Sequence, residues 1–309
     1  MRFLCFIYLA YVMLNSFAQA EQAQSDKPKV LLMMSSHASK PKGDLLQTLA
    51  APQPFELINY STKGKSEQEI KLAWSDAALI MLDGINPALS KFMFAKYQKY
   101  LSEFSQVPVI SLGDLHNASM NQGLTQKQKA AIGAYYQNAG RNNYQNLMAY
   151  LASEFLQLNT NTAKPVELVP NVGLYHYAYQ GLVTGDEQAF FNFLNPGDNQ
   201  PVIAIGIHRS VIDYEQQQVV DALIKGLEAK GAKAFGYFFE GEDQNQDHTD
   251  LLMVDGPSMS KSRVDLLINY RALHYVAKRR AEFERLGVPI IHALNYTEGD
   301  QLSFEADNA

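Results

Sequence analysis

The chain has one cysteine in 309 residues, Cys5. A single thiol excludes an intrachain disulfide framework. Cys5 also lies in the segment Met1–Ala20, which reads as a secretory signal: Arg2 is a short positive start, Phe3 to Leu14 is apolar, and Ala18-Gln19-Ala20 is a small-x-small cleavage site. Removal of that segment leaves no thiol at all, which suits an oxidising compartment and predicts a periplasmic protein. No later apolar run approaches the roughly 20 residues needed to span a bilayer, so no membrane association is expected after cleavage. Nucleotide motifs are missing too: neither G-x-G-x-x-G nor G-x-x-x-x-G-K-[ST] occurs. There is no H-E-x-x-H metal motif and no G-x-S-x-G nucleophile elbow. Basic residues number 26 against 32 acidic, a net charge of −6 without a basic block, which argues against nucleic acid as a partner. No cofactor is bound by motif.

What is present is ordinary globular material, with 47% hydrophobic and 19% charged residues. Its clearest stretch is Pro201–Phe239. Val202 to Ile207 is an unbroken apolar run, as expected of a strand buried on both faces of a parallel sheet. Between Tyr214 and Lys230 the residues Val219, Val220, Leu223 and Leu227 recur at helical spacing, Gly231 stops the helix, and Ala234 to Phe239 resumes a strand. This is one βαβ unit. Further strands are expected at Val30–Met34, Phe55–Tyr60, Ala77–Leu82 and Val107–Leu112, then at Val172–Tyr175, Val264–Ile268 and Val288–Ile291. Helical stripes fill Pro87–Phe104, Thr125–Asn138 and Tyr144–Leu158. The polar run Asn159–Pro165 marks a boundary. The reading is an α/β protein of two Rossmann-like parallel-sheet domains joined by a helical segment. Its parts are residues 1–20 (signal), 28–160 (N-terminal domain with helical extension) and 166–309 (second domain).

Open α/β sheets bind ligands beyond the carboxyl ends of their strands. His37, His116, His176, His208, His274 and His292 all fall at or just past expected strand ends; only His248 does not. Taking the strands of the second domain as parallel, a ligand site is placed at their shared edge, with His208 and Arg209 at its centre and His176, Asn269 and His292 beside them. Arginine there grips a carboxylate bidentately, and neutral imidazole ligates a metal. A second reading pairs Arg209 with Asp213, where it only braces the helix start. Asp83 and Asp114 end neighbouring strands, and helix capping or loop solvation is expected of them. The acidic loop Glu240–Asp250 lacks EF-hand spacing and reads as a solvated charge run, though it could collect a divalent cation.

Several pieces resemble one family in their order along the chain. They are Tyr135-Tyr136-Gln137-Asn138-Ala139-Gly140-Arg141-Asn142-Asn143, then Gly173-Leu174-Tyr175-His176 and the strand ending in His208-Arg209-Ser210. After these come the helix from Val220 to Glu228 with Gly231, Asp265-Leu266-Leu267-Ile268-Asn269, and Leu286-Gly287-Val288-Pro289-Ile290-Ile291. Over roughly Ala77 to Tyr296 this succession resembles the N-terminal part of the CobN/magnesium-chelatase large (H) subunit family. The resemblance implies tetrapyrrole chemistry, the insertion of cobalt or magnesium into a cobalamin or porphyrin precursor, with a tetrapyrrole or divalent metal as ligand and further chelatase subunits as partners. It also implies a chain that continues far past the position of Ala309 and carries the chelation site there. The expected role is therefore an exported CobN-like module that is not catalytic alone, and no catalytic residue is assigned. The alternatives are a periplasmic two-lobed solute-binding protein and an inert gene fragment.

Overall fold

Strand β1 (Lys29–Met34) has Val30 to Met33 at 2% exposure or less, so both of its faces must be covered by other elements. In the computed structural model, which describes residues 27–35, 40–115, 119, 121–179, 187–239, 247, 249–254, 261–270 and 276–293, helices cover such strands throughout. Residues 1–20, where a signal segment is expected, and His37, His116, His248 and His274 lie outside the described residues.

After β1 come α1 (Lys40–Ala50), β2 (Glu56–Asn59), α2 (Glu67–Ser75), β3 (Ala77–Asp83), α3 (Pro87–Glu103) and β4 (Val109–Ser111). All four strands are parallel, in the order β2-β1-β3-β4. Helix starts follow their sequence signals. Ser66 and Glu69 form a reciprocal capping box on α2, and Asn86 caps α3 with Pro87 in its first turn. Part of the stripe on α3 is core: Met93, Tyr97 and Tyr100 are buried, and the two tyrosines pack on Trp74 at ring distances of 5.9 and 5.4 Å, whereas Phe92 is exposed. Helices α4 (Gln126–Asn138) and α5 (Gly140–Tyr150) meet at two left-handed residues, Ala139 (φ 51°) between them and Gly140 (φ 77°) at the start of α5, and α5 runs on into a π-helical turn at Leu151–Phe155.

The chain divides into two compact units. One takes the described residues up to Asn138 together with Asn142–Glu167; the other takes Ala139–Arg141 and the described residues from Leu168 onward. The Asn/Thr-rich stretch after Leu158 has no regular element, so side chains satisfy part of its backbone. The Tyr135 hydroxyl donates to Lys164 O (2.6 Å), and Asn143 both donates to Glu167 O (2.8 Å) and accepts from Glu167 N (2.9 Å).

The second unit holds β5 (Val172–Tyr175), α6 (Glu187–Leu194), β6 (Val202–Ile207), a short α7 (Arg209–Asp213), α8 (Gln218–Glu228), β7 (Lys233–Phe239), β8 (Leu266–Asn269), α9 (Val276–Leu286) and β9 (Ile290–His292). The sheet order is β5-β7-β6-β8-β9. Two expectations are corrected. First, β5 runs antiparallel to β7, so the sheet is mixed rather than parallel. An edge strand needs pairing on one side only, and β5 in this direction still buries Leu174 fully in the core formed with Phe190, Phe235 and Leu267. Second, the crossover contains two helices, broken at Glu215 in the left-handed region (φ 58°). Gly231 (φ 90°) ends the crossover with the positive φ its position implied. On the opposite face Ile203, Ile205 and Ile207 pack against Val220 and Ile224 of α8. No helix among the described residues is long and apolar enough to cross a membrane.

Candidate functional site

In the second unit the chain leaves β6 to one side, through α8 to β7, and later places β8 on the other side. The topological switch point therefore falls between β6 and β8, where an open sheet leaves a crevice beyond the strand ends. His208 follows β6 there, extended (φ −72°, ψ 140°) and half-buried, as the N-cap residue of α7.

Below the edge, one register line crosses four strands. Tyr237 of β7 faces Gly206 of β6, Gly206 faces Asn269 of β8, and Asn269 faces His292 of β9. Glycine at the second place suits a close approach of its neighbours' side chains. A Cβ on Gly206 would lie 3.1 Å from Tyr237 Cε1 and 3.3 Å from Asn269 Oδ1. Tyr237 and Asn269 are both 2% exposed, whereas His292 is exposed. Asn269 Nδ2 donates to His292 Nδ1 at 3.2 Å. In that tautomer Nε2 of His292 is a donor; turning the amide over presents Oδ1 to an Nδ1–H and frees the Nε2 lone pair for a metal. Asn269 thus serves either state of the imidazole, and the row ends in solvent. Of the residues placed at this edge from sequence, the structure brings together His208, Asn269 and His292. Gly206 and Tyr237 were missed, because a glycine in an apolar run and a tyrosine in an aromatic one (Phe235 to Phe239) look like packing.

Arg209 sits at the edge but turns inward. It is 7% exposed, its Nε donates to Asp213 Oδ2 (2.9 Å) and its Nη1 to Asn171 Oδ1 (2.9 Å). Of its two readings, the structure carries the one in which it braces the start of α7. Asn171 reaches this edge only because β5 is antiparallel, so that its first residue, not its last, lies beside the ends of β6 and β7.

The same reversal removes His176 from the group, at the opposite end of β5. It is 4% exposed, its Nδ1 accepts from Ala178 N (3.1 Å), and its Nε2 meets Glu228 Oε1 (3.2 Å) in the last turn of α8. Tyr177 donates to the other Glu228 oxygen (3.0 Å) and Tyr175 donates to Asp221 Oδ1 (2.6 Å). Burial first, then the Asp221 hydrogen bond, pushes the Tyr175 hydroxyl far above its ordinary range. Tyr175-His176-Tyr177 therefore clamps the edge strand onto α8 and does not reach the crevice.

The segment Ala139-Gly140-Arg141 supports the same edge from outside the sheet. Arg141 makes a bidentate pair with Glu215 (2.5 and 2.6 Å), the left-handed residue between α7 and α8. The pair fixes the backbone that follows His208 and Arg209.

Two acidic features resolve as structure. Asp247 and Asp250 both pair with Arg285 (2.7 and 2.5 Å), while Glu240–Gln246 lie outside the described residues. In the first unit Asp83 is not a solvated cap but 1% exposed, taking Lys42 Nζ (2.9 Å), Tyr136 OH (2.7 Å) and Ile85 N (2.9 Å). Burial alone would raise its carboxyl; the Lys42 ammonium, the Tyr136 hydroxyl and the Ile85 amide outweigh it and hold it below the usual range. Among the described residues no group of three or more His, Cys, Asp or Glu side chains is arranged to hold a metal ion.

Comparison with solved structures finds the catalytic subunit of cobaltochelatase from Mycobacterium tuberculosis at a TM-score of 0.52 and 13% identity, covering 86% of this chain and 21% of that one. The likeness is one of fold, and this chain spans about a fifth of that subunit's length. The catalytic subunit of aspartate transcarbamoylase from M. jannaschii (TM-score 0.24, 14% identity, covering 96% of this chain and 84% of that one) carries no weight at that score. Nor does a manganese-bound periplasmic metal-binding protein from Candidatus Liberibacter asiaticus (TM-score 0.25, 9% identity, 88% and 92% covered). No curated protein matches the chain. The family model described as CobN/Magnesium Chelatase matches residues 133–309, more than half of the chain and the whole of the crevice just described. The chain belongs to the CobN/magnesium chelatase family.

Proposed function

We propose that the second unit is a binding module for a tetrapyrrole or its metal, acting in chelatase-related chemistry without completing the reaction by itself. The observation that carries this reading is the polar row from Tyr237 across Gly206 and Asn269 to His292, beside His208 at the switch point and inside the family-matched span. His292, with Asn269 behind it to set its tautomer, would supply an imidazole nitrogen to a metal held in a macrocycle. The His208 ring is the neighbouring polar group for the macrocycle's periphery. Arg209 and His176 are left out of the contact set because both are buried in ion pairs or hydrogen bonds of the fold.

An absorbance titration with a cobalt corrinoid and with a metal-free porphyrin tests this. The wild type shifts the corrinoid spectrum, and His292→Ala weakens binding about tenfold, the loss of one hydrogen-bonded or ligating contact. A wild type that leaves both spectra unchanged, or a His292→Ala variant that binds as the wild type does, sinks the reading.

We also propose export to the periplasm, supported by Arg2, the apolar run Phe3 to Leu14 and Ala18-Gln19-Ala20. Mass spectrometry of the native protein should find Glu21 first; an intact Met1 in a cytosolic pool overturns the assignment.

A further inference from the structure

The first unit contains a cavity of about 670 Å³, within the range of small-molecule sites, between the ends of β1 and β2 and the side of α3. It lies wholly ahead of residue 133, where the family match begins. Its apolar wall is aromatic and sulfur-rich: Met34, Tyr60, Met93 and Tyr97, with Leu89 and a 72%-exposed Phe92. A large apolar side chain left that exposed beside a cavity needs a partner more than an isolated surface residue does.

Charge is one-sided. Among the described residues of the lining, Lys63 and Lys96 are the only ionisable ones besides the two tyrosines, and neither is matched by an acid there. Lys96 Nζ is held at the wall by donating to Thr62 Oγ1 (3.1 Å), which also lies 3.2 Å from the Tyr97 hydroxyl. Lys63 follows on the loop after β2 and is exposed. Ser35, at the end of β1, completes the lining.

We propose that this cavity binds a small aromatic anion, with its ring body against Tyr60, Met93 and Phe92 and its acidic group toward Lys63 and Lys96. Two cations without an acid select the charge, and the aromatic wall selects a flat apolar body. The site is separate from the crevice of the second unit, and nothing in its support uses residues of that unit.

The protein carries its own reporter. Trp74 is the only tryptophan, and its ring lies 5.9 Å from that of Tyr97 in the cavity wall. The probe is anilinonaphthalenesulfonate, an aromatic anion that accepts energy from tryptophan; its neutral counterpart is phenylnaphthylamine, the same ring system without the sulfonate. In the full chain, Trp74 emission falls and sensitised probe emission rises as the sulfonate binds, and the neutral probe binds about tenfold more weakly. The Lys63→Glu/Lys96→Glu double variant loses at least about tenfold in sulfonate affinity, one charge-assisted contact or more, with neutral-probe binding unchanged. Phe92→Ser weakens both probes. All three side chains are exposed, so near-UV circular dichroism should match the wild type. Absence of sensitised emission in the wild type overturns the proposal, as does equal affinity for the two probes or a double variant that binds the sulfonate normally. None of these outcomes bears on the corrinoid titration at His292.

Discussion

The two units solve the same problem, a sheet with both faces covered, and differ at the edge where ligands bind. In the first, all strands are parallel and the edge between β1 and β3 is closed by the buried Lys42–Asp83–Tyr136 group, which leaves the open space to the side, against α3. In the second, the edge between β6 and β8 is left polar and partly open, and the buried ion pair, Arg209–Asp213, is moved beside it. The difference teaches that a charged residue at a strand end is not by itself a site. Asp83 and Arg209 both stand where ligands usually bind, and both are used up by partners of opposite charge. The groups that remain available are less conspicuous: an exposed imidazole in one unit and a pair of lysines on an aromatic wall in the other.

The comparison can be broken one unit at a time, with hydrogen exchange read separately on peptides of each. Asp83→Ala should have the largest effect, about 3–5 kcal/mol, because it strands the Lys42 ammonium in the interior. The loss should appear in the first unit, reported also by Trp74 fluorescence during denaturation, and leave exchange in β6 unchanged. The same carboxylate sets an acid limit. Its folded pKa is depressed, so its stabilisation is complete above the unfolded value of about 4 and is lost as pH falls through the lower folded value. Wild-type unit one should therefore destabilise below about pH 4, and Asp83→Asn should flatten that part of the profile.

Arg209→Ala should come next, at about 3 kcal/mol in the second unit, through loss of the buried Arg209–Asp213 pair. Corrinoid affinity of the folded fraction should not change; a selective loss of affinity without loss of stability would return Arg209 to the crevice. Gly206→Ala is smaller, about 1–3 kcal/mol of overpacking against Tyr237 and Asn269, and it should weaken corrinoid binding along with faster exchange in β6. Ser66→Ala removes one half of the α2 capping box and should cost about 1 kcal/mol, measured by thermal unfolding, with no effect on either ligand.

Much of this architecture was legible locally. The apolar runs of β1, β3 and β6, the Gly231 stop and the Pro87 start are short-range signals, and each element stands where its signal placed it. Short helices were harder. None of α1, α2 and α6 was anticipated, as α1 begins Lys40-Pro41-Lys42-Gly43, α2 is only Glu67–Ser75 and α6 only Glu187–Leu194. Of the candidate site, His208, Asn269 and His292 could be placed because strand ends in a parallel sheet share an edge. His176 could not, since its strand direction is not written in Val172 to Tyr175. Four residues of strand pair equally well either way until the neighbour is known.

The sequence alone determined the α/β class, the positions of most strands, and the order of pieces that marks the family. Those properties depend on residue type and on spacing within a few turns of chain. Only the tertiary structure decided that β5 runs backwards, that Lys42 and Tyr136 enclose Asp83, and that Gly206 opens a row from Tyr237 to His292. Each of these depends on which distant residue becomes a neighbour. A charge is spent or available according to what packs within about 4 Å of it, and local sequence does not encode that distance.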